Sequence, residues 1–476
     1  MMNRGATGYS VVLRLVIPKQ AGALGKVISV INRAGGVVGA FDVVGFESGG
    51  IIRDIEAYAA DLDMAKLITA AVRRVKEVKI LNVADRTLLL HQGGKIETAS
   101  KVPLKTRSDL ATAYTPDVAR VTRAIYEEPE RVYELTMKKN SVAIVTDGTA
   151  VLGLGDVGPA AALPVMEGKA IIFKNFAGVD AFPICLNTRD PQEIVQAVKW
   201  ISPGFGAISL EDISGPRCFE IESRLKKELD IPVCHDDQQS AAVIVLAGLK
   251  NALKVVGKRL EDVRIVVCGL GAAGIASIRL LLASGAKQII GCDRAGILYQ
   301  GRRKNMNPIK EKIAGLTNPD QMKGTVGRAL IGADVLIGVS DANAVSVEEV
   351  RKMADNAVVF AMANPVPEIL PEKVGSFVRV MATGRPDYEN QLIDILCYPG
   401  LYRGVFDCRA REINREMLIA AANAIADCVA PEELMEQHIV PSVFNRKVPE
   451  MVARGVAEAA IRTGVGTLEH QYVMFS

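Results

Sequence analysis

Two pairs of adjacent acidic residues are the first feature of the sequence that could do chemistry. Glu211-Asp212 ends the apolar stretch "GAISL", and Asp236-Asp237 follows "PVCH". Both pairs come where a strand pattern ends, which is where α/β proteins place groups that bind ligands. Adjacent carboxylates disfavour each other's charged form, so a cation beside them would stabilise the fold. Because no Cys or His cluster converges on them, they predict a hard divalent ion such as Mg²⁺ or Mn²⁺.

A structural explanation exists for any single one of these acids. Asp237 precedes a helix pattern and could cap that helix. Two doublets at two strand ends favour the metal site over capping. The neighbouring His235 is predicted to pack or to support the site rather than to bind the ion.

A glycine-rich turn predicts a second ligand site. The segment "RIVVCGLGAAGIASIRLLLASGAKQIIGCD" contains a buried strand, the pattern G-x-G-x-x-G, a helix and a second strand that ends 19 residues after the third glycine. This context predicts a dinucleotide whose pyrophosphate lies at the helix N-terminus. An acid at the end of the second strand accepts hydrogen bonds from a ribose 2′-hydroxyl and favours NAD, although the arginine after it could tolerate the 2′-phosphate of NADP. The predicted cofactor-binding residues are Gly269, Gly271, Ala272, Ala273, Gly274, Asp293 and Arg294.

Composition limits the class of protein. The 57 basic and 54 acidic residues of this 476-residue chain leave a net charge of +3, too balanced to indicate a nucleic-acid or membrane surface. No segment reaches about 18 uninterrupted apolar residues, and the N-terminus does not resemble a signal peptide. The eight cysteines form no CxxC or zinc spacing, which is typical of buried reduced thiols. We therefore expect a soluble cytoplasmic protein.

The elements that must position these sites suggest three domains, 8–85, 91–236 and 237–476. The first shows a βαββαβ order: a strand over 9–17, a helix after "PKQAG", strands around 37–46 and 51–59, a second helix and a strand over 78–83. The second mixes helices with short strands, for which we take "SVAIVTDG", "AIIFKN" and "GAISLED". The third alternates strand and helix, as a doubly wound parallel sheet does. The predicted fold class is α/β throughout, with a linker over 91–110.

The first domain resembles an ACT domain, a regulatory module that binds small metabolites. The element order and the segment "IPKQAGALGKV" carry the resemblance. The resemblance implies a small-molecule effector. A βαββαβ module that serves only for dimerisation is the alternative.

The rest of the chain, residues 91–476, resembles the short bacterial malic enzymes. The resemblance rests on several motifs in the family's order, "AYTPDVARV", "VLGLGDVGPAAALPVMEGKAIIFK", "LEDISGPRCFEIE", "PVCHDDQQSAAVIVLAGLKNAL", "AMANPVPEI" and "ATGRPDYENQ". With the ACT-like module in front, the chain is similar to an ACT-containing, NAD-dependent malic enzyme. Such enzymes oxidise (S)-malate, lose CO₂ from the product and release pyruvate, and they form homodimers or larger homo-oligomers.

The resemblance also implies a role for individual residues. Lys169 matches the general base, which we expect to be neutral near a divalent cation, and Asp236 would orient it. Tyr114 matches the general acid that protonates the enolate. The implied ligands of Mg²⁺ or Mn²⁺ are Glu211, Asp212 and Asp237. The implied substrate-binding residues are Lys174, Asn364 and Asn390.

Departures from the family pattern leave alternatives open. Ala150 stands where longer malic enzymes have a carboxylate-binding arginine, and Asp394 stands in place of an asparagine. An acid at 394 would repel a dicarboxylate unless it is protonated or paired. Gln239 and Ser240 replace the usual "HG". These changes keep two alternatives: another 2-hydroxy acid or NADP as reactant, and a catalytically silent metabolite-binding protein.

Overall fold

The structure is a computed structural model that describes residues 9–467, and the chain divides into two compact units, Met1–Glu97 and Thr98–Ser476. The outermost predicted domain ends, residues 8 and 476, lie outside the described residues. The predicted boundary at 236/237 falls inside the second unit and stays a prediction.

Unit 1 has the predicted βαββαβ order. Its elements are β1 (Tyr9–Ile17), α1 (Ala23–Arg33), β2 (Val37–Glu47), β3 (Gly50–Ala59), α2 (Leu62–Arg73), β4 (Lys79–Asp85) and a short α3 (Arg86–His91). The sheet order is β2-β3-β1-β4, and every neighbouring pair is antiparallel. Alternate residues of β1, such as Leu13 and Leu15, are buried against Val27 and Ile31 of α1 and Ile68 of α2. The period of two in the strand and of about 3.6 in the helices therefore produces one apolar core.

Unit 2 contains two parallel sheets. Its strands are β5 (Ser141–Thr146), β6 (Asp180–Cys185), β7 (Ala207–Leu210), β8 (Val233–His235), β9 (Arg264–Cys268), β10 (Gln288–Asp293), β11 (Gly296–Ile297), β12 (Val335–Gly338), β13 (Ala357–Ala361) and β14 (Val378–Thr383). One sheet has the order β6-β5-β7-β8, and the other has the order β11-β10-β9-β12-β13-β14. All pairs are parallel except the short edge pair β10–β11. The second sheet is the predicted doubly wound sheet, so the α/β fold class is confirmed.

The helices of unit 2 surround these sheets. They are α4 (Arg107–Ala113), α5 (Val118–Glu127), α6 (Val132–Leu135), α7 (Pro159–Ala177), α8 (Pro191–Ile201), α9 (Arg217–Glu228), α10 (Asp236–Val256), α11 (Ala272–Ala283), α12 (Pro308–Ala314), α13 (Val326–Leu330), α14 (Val347–Val350), α15 (Pro371–Val374), α16 (Tyr398–Asp407), α17 (Arg415–Asp427) and α18 (Lys447–Arg462). The predicted linker over 91–110 is partly helical, because α4 begins inside it with a capping box formed by Thr106 and Asp109.

The prediction of a strand at "AIIFKN" is wrong, because this segment lies inside α7. Its β-branched isoleucines suggested a strand, but the buried side chains of the helix recur at intervals of three and four residues, which is a helical period. Pro159 in the first turn and the left-handed Gly178 after the last turn fix its ends. Lys169 therefore projects from a long helix and not from a strand end.

Helix α10 forms the centre of unit 2. By length and composition it is the one described helix that could cross a membrane, but 67% of its apolar window is buried inside the structure. Its buried side chains belong to one core with α11, α17 and the strands of both sheets. It is a core helix, and it begins at the acidic pair Asp236-Asp237.

Candidate active site

The two acid pairs lie next to each other because β7 and β8 pair in parallel. Leu210 is in register with His235, so the residues that follow them leave the sheet at the same edge. We call Glu211, Asp212, Asp236 and Asp237 at this edge the acidic edge. The backbone N–H of Asp212 donates to Asp237 Oδ2 at 3.0 Å. Asp237 lies in the first turn of α10, whose N-cap is His235, so the alternative of Asp237 as the cap does not hold.

Lys169 reaches the acidic edge from α7. Its Nζ donates to Glu211 Oε2 at 2.6 Å and to Asp236 Oδ2. Ser240, one turn into α10, donates its hydroxyl to the other oxygen of Asp236, and Ser209 donates to Glu211 Oε1 at 2.9 Å. The sequence placed Lys169 and Asp236 together only through the family resemblance, and the geometry brings them into direct contact.

The charges of this group are unevenly compensated. Burial raises the pKa of Asp212 to about 7, and the neighbouring charge of Asp237 adds to the rise. Burial also raises the pKa of Asp236 to about 7 although Lys169 opposes the rise, and burial raises the pKa of Glu211 well above its usual value. Several carboxylates thus face one lysine, which is the electrostatic condition for binding a cation.

Lys169 differs from the expectation of a neutral base. Burial lowers the pKa of its ammonium group, but the carboxylates of Asp236, Glu211 and Asp394 outweigh burial and hold that pKa well above its usual value. These facing carboxylates therefore favour the charged form of Lys169. The expectation of a neutral lysine was made for a site with a bound divalent cation and did not count these three facing carboxylates, so the protonation state of Lys169 beside the metal stays a prediction.

Asp394 and Tyr398 are two members of this site that were not among the predicted catalytic, metal-binding or substrate-binding residues. Asp394 Oδ2 lies 3.2 Å from Lys169 Nζ, and this pairing lowers the pKa of Asp394 in spite of burial. The centroid of the aromatic ring of Tyr398 lies 4.8 Å from the same Nζ. The departure "IDILCYPG" was the available signal for both residues, and the structure answers the charge problem it raised by pairing Asp394 with Lys169.

The acidic edge has the donor chemistry of a metal site without a finished coordination shell. Among residues 9–467, no three Asp, Glu, His or Cys side chains already converge around one point as ligands. Glu211 is turned toward Lys169 and Ser209 instead. Three carboxylates with uncompensated charge nevertheless fit Mg²⁺ or Mn²⁺, whose preferred ligands are oxygen atoms. His235 is fully buried, and its ring nitrogens lack hydrogen-bond partners within the described chain. This placement agrees with the predicted packing role.

The glycine turn, residues 269–274, lies at the end of β9 and the start of α11. Gly269 has a φ of 113°, and a Cβ there would lie 2.2 Å from the carbonyl oxygen of Val339. A Cβ on Gly274 would lie 1.9 Å from the carbonyl oxygen of Gly269. A Cβ on Gly271 would meet no atom within 4 Å, so this glycine leaves open space in front of the helix N-terminus. Ala272 and Ala273 form the first turn of α11 and are half-buried.

Asp293 ends β10 as predicted, but its oxygens are already occupied. Arg302 donates to both of them at 2.8 and 2.6 Å, and Lys310 and Asn305 donate to Oδ2 at 2.7 and 3.0 Å. The side chains of Arg302 and Lys310 are 3% and 9% exposed, so two buried cations surround one buried carboxylate. The adjacent Arg294 is exposed. The single-acid pattern of the sequence gave no sign of the two cations.

Asn364 is the predicted substrate-binding residue that comes near the acidic edge. Asn364 follows β13, and its carbonyl oxygen lies 2.7 Å from where a Cβ on Gly153 would be. Gly153 belongs to the loop whose Thr149 and Ala150 N–H groups donate to the carbonyl oxygen of Asp212, so Asn364 approaches a loop bound to the acidic edge.

Three predicted residues are not brought to the acidic edge. Lys174 lies on the surface and pairs with Asp180 at 2.7 Å. The side-chain amide of Asn390 donates to the carbonyl oxygens of Met381 and Glu436, and its oxygen accepts from the N–H of Ile439. Tyr114 is 69% exposed, and among residues 9–467 no hydrogen bond or ion pair links its side chain to the acidic edge.

Comparisons with known proteins agree with this architecture. Residues 93–226 match the malic enzyme N-terminal domain, and residues 238–461 match the malic enzyme NAD binding domain. The chain is 56% identical over 461 residues to an NAD-dependent malic enzyme of Geobacillus stearothermophilus, covering 97% of this chain and 96% of that protein. It is 49% identical to a bifunctional malic/malolactic enzyme of Bacillus subtilis, covering 82% and 95% of the two chains.

A solved structure gives the same result. The crystal structure of an NAD-dependent malic enzyme from Thermotoga maritima is 44% identical, with a TM-score of 0.76 over 79% of this chain and 99% of that one. Neither matched domain includes the first 92 residues, so the ACT-like character of unit 1 stays a prediction. The two domain matches and the full-length relative establish that this chain belongs to the malic enzyme family.

Proposed function

We propose that the chain oxidises (S)-malate at C2 with NAD and converts the product to pyruvate and CO₂, using Mg²⁺ or Mn²⁺. The observation that carries this proposal is the contact of Lys169 with Glu211 and Asp236 in a chain of the malic enzyme family. Its eight cysteines all carry free thiols, which supports a reducing compartment such as the cytoplasm.

Glu211, Asp212 and Asp237 would hold the divalent cation. The raised pKa values of Asp212 and Glu211 support this assignment, because carboxylates that share uncompensated charge gain most from a cation. When bound, such an ion polarises a substrate oxygen and stabilises an enolate. Its ligands would no longer be fully available to Lys169, so the pKa of the lysine would fall toward the range that a general base requires.

Lys169 would accept the proton of the C2 hydroxyl, and Asp236 would orient its ammonium group. The bond from Ser240 fixes the second oxygen of Asp236 and so limits the rotation of that carboxylate. NAD, when bound, would accept the hydride from C2, with its pyrophosphate at the glycine turn. Asn364 is proposed to bind the substrate, whereas the contacts of Lys174 with Asp180 and of Asn390 with nearby backbone support a structural role for these two residues.

Tyr114 would protonate the enolate from a second copy of the chain. Helices α4 and α5 contain no buried residue, and apolar side chains along this stretch are exposed, among them Val102, Leu104, Leu110 and Tyr126. Amphipathic helices with an uncovered apolar face favour association with another chain. A homodimer that exchanges this segment would cover the apolar side chains and bring Tyr114 to an acidic edge.

Mixing two inactive variants tests this exchange. Tyr114→Phe removes the proposed acid and Lys169→Ala removes the proposed base. If Tyr114 acts on the partner's site, dimers formed from both variants contain one intact site, and mixing should restore about a quarter of the activity. Two variants that stay inactive after mixing, while native mass spectrometry shows mixed dimers, would place Tyr114 in its own subunit's site.

NADP is a second candidate cofactor, favoured by one observation. Arg302 and Lys310 together carry one more positive charge than Asp293 neutralises, at the end of β10 where a dinucleotide places its adenosine ribose. That excess would favour a 2′-phosphate.

The reaction itself is tested with the purified full chain, Mn²⁺, NAD and (S)-malate. NADH and pyruvate should form in equal amounts. Lactate without net NADH would replace the proposed reaction with a decarboxylation that involves no net oxidation. Turnover of another 2-hydroxy acid but not of malate would replace the substrate. Binding of malate without any turnover would support the metabolite-binding alternative.

Unit 1 is proposed to bind a small-molecule effector, a proposal supported by its βαββαβ order, on which the resemblance to ACT domains partly rests. A truncated chain that starts near Gly93 should keep malate turnover and lose its response to metabolites such as amino acids and nucleotides. A response that survives truncation would place the effector site in unit 2.

A further inference from the structure

Glu368 is a fully buried carboxylate without a cation partner. Its side chain is 0% exposed, and no ion pair to it exists among residues 9–467. Its Oε1 accepts from the N–H of Ser340 at 2.6 Å and from the hydroxyl of Ser340 at 3.2 Å, and its Oε2 accepts from the N–H of Ala363 at 3.0 Å. Burial raises the pKa of Glu368 although these donors oppose the rise. Burying an unpaired carboxylate is costly, so an apolar residue would serve packing better.

Glu368 joins two loops of the larger sheet. Ser340 follows β12, and Ala363 follows β13, so the two oxygens of one carboxylate join the loops at the ends of two neighbouring parallel strands. The backbone of the same segment adds two bonds, from Asn343 N–H to the Pro367 carbonyl and from Val345 N–H to the Glu368 carbonyl. A Cβ on Gly338 would lie 2.6 Å from the carboxyl carbon of Glu368, so the end of β12 packs directly against the side chain.

These loops border the half of the doubly wound sheet that receives the nicotinamide. The order of the strands in the sheet runs from β9 to β10 on one side and from β12 to β14 on the other. Dinucleotides bind across the crevice where the strand order switches sides, which here lies between β9 and β12. Asp293 lies on the β10 side, which is the adenosine side, so the loops after β12 and β13 lie on the nicotinamide side. The hydroxyl of Ser340 also lies 3.5 Å from Cys268 Sγ, immediately before the glycine turn. Asn364, the proposed substrate residue, directly follows Ala363.

We propose that Glu368 is a positioning residue that clamps the loop after β12 to the loop after β13, and so holds the nicotinamide half of the cofactor site in register with Asn364. It touches neither reactant and acts through Ser340 and Ala363. This inference rests on the proposed function for the role of Asn364, but its effect on cofactor binding does not require turnover.

The substitution Glu368→Gln tests the clamp, because it keeps the size of the side chain and turns one acceptor into a donor. That donor would face a backbone N–H or a hydroxyl. Affinities for NAD and for ADP-ribose, which lacks the nicotinamide, are measured by calorimetry without malate. We expect the affinity for NAD to fall about tenfold, the scale of one lost hydrogen bond to a charged group, with little change for ADP-ribose. The KM for malate should rise as Asn364 loses its position.

Two further variants keep the test decisive. Ser340→Ala removes only the hydroxyl contact, so it folds more readily and should show a smaller loss for NAD, again without loss for ADP-ribose. Glu349→Gln, a capping residue of α14 whose carboxylate also bonds backbone N–H, should leave both affinities unchanged. Equal losses for NAD and ADP-ribose, or no loss for either, would overturn the clamp. Absence of malate turnover in the unaltered chain, with the NAD split intact, would overturn the proposed reaction and leave the clamp in place.

Discussion

The acidic edge of the smaller parallel sheet and the glycine turn of the larger one occupy the same kind of position but are built in opposite ways. The glycine turn consists of backbone held at close contacts, such as the 1.9 Å that a Cβ on Gly274 would leave to Gly269. The acidic edge consists of charged side chains from separate segments, held by Lys169 and still short of positive charge. A turn made of backbone is complete before its ligand arrives, whereas the acidic edge would be completed by the cation that we propose it binds.

The largest expected effect separates chemistry from cofactor binding. Lys169→Met should lower kcat at least about 100-fold, the usual scale for loss of a general base. Affinity for NAD should stay unchanged, because the glycine turn does not use this lysine. Lys174→Met on the same helix is the matched control, since that lysine pairs with Asp180 on the surface and its loss should leave kcat unchanged. Steady-state kinetics and calorimetry measure both, and near-normal turnover of Lys169→Met would remove the lysine from its role.

A pair of glycine substitutions tests whether the turn is preformed. Gly274→Ala forces a methyl group onto the Gly269 carbonyl, so it should lower the free energy of unfolding by about 1–3 kcal/mol. Gly271→Ala meets no protein atom, so it should leave that free energy unchanged and weaken NAD binding about tenfold by blocking the pyrophosphate. Denaturant unfolding and NAD titration measure the two effects. If Gly271→Ala binds NAD normally, the pyrophosphate does not approach this glycine.

The same contrast explains how far the sequence could predict the structure. The glycine turn is a local pattern, so the strand 264–268, the helix and the end of β10 at Asp293 are found where spacing placed them. The acid doublets could be recognised because each lies at a strand end. No role could be assigned to Arg302, Lys310 or Glu368, because their contacts join segments that only the tertiary fold brings together. "AIIFKN" failed because a buried helix and a buried strand are both apolar over six residues.

The acidic edge should respond to pH in a way that the glycine turn does not. The pKa of Asp212, raised to about 7, lies above its value in the unfolded chain, so the proton stabilises the metal-free fold at low pH. This stability is lost as pH rises through about 7, where Mn²⁺ would compete with the proton for the proposed site. The apparent affinity for Mn²⁺ should therefore rise at least about tenfold between about pH 6 and about pH 8. Calorimetry at both pH values measures it, with NAD affinity as the internal reference.

Asp212→Asn is the variant that assigns this pH response. It removes the titrating carboxyl group and one proposed ligand, so Mn²⁺ binding should weaken and its dependence on pH should become shallower. A wild-type affinity that does not change with pH would show that protons and the metal do not compete at these carboxylates.

The smallest expected effect concerns the cations around Asp293 at the end of β10, on the side of the sheet where the adenosine of a dinucleotide would bind. Lys310→Ala leaves Asp293 with Arg302 as its single cation, so the carboxylate would repel a 2′-phosphate more strongly. The ratio of kcat/KM for NAD to that for NADP should rise about fivefold, as expected for one charge in a partly screened site. Lys312→Ala, an exposed lysine on the same helix, should leave the ratio unchanged. A ratio that falls in Lys310→Ala would mean that the lysine serves NAD by holding Asp293 in place, and that charge excess does not set cofactor preference here.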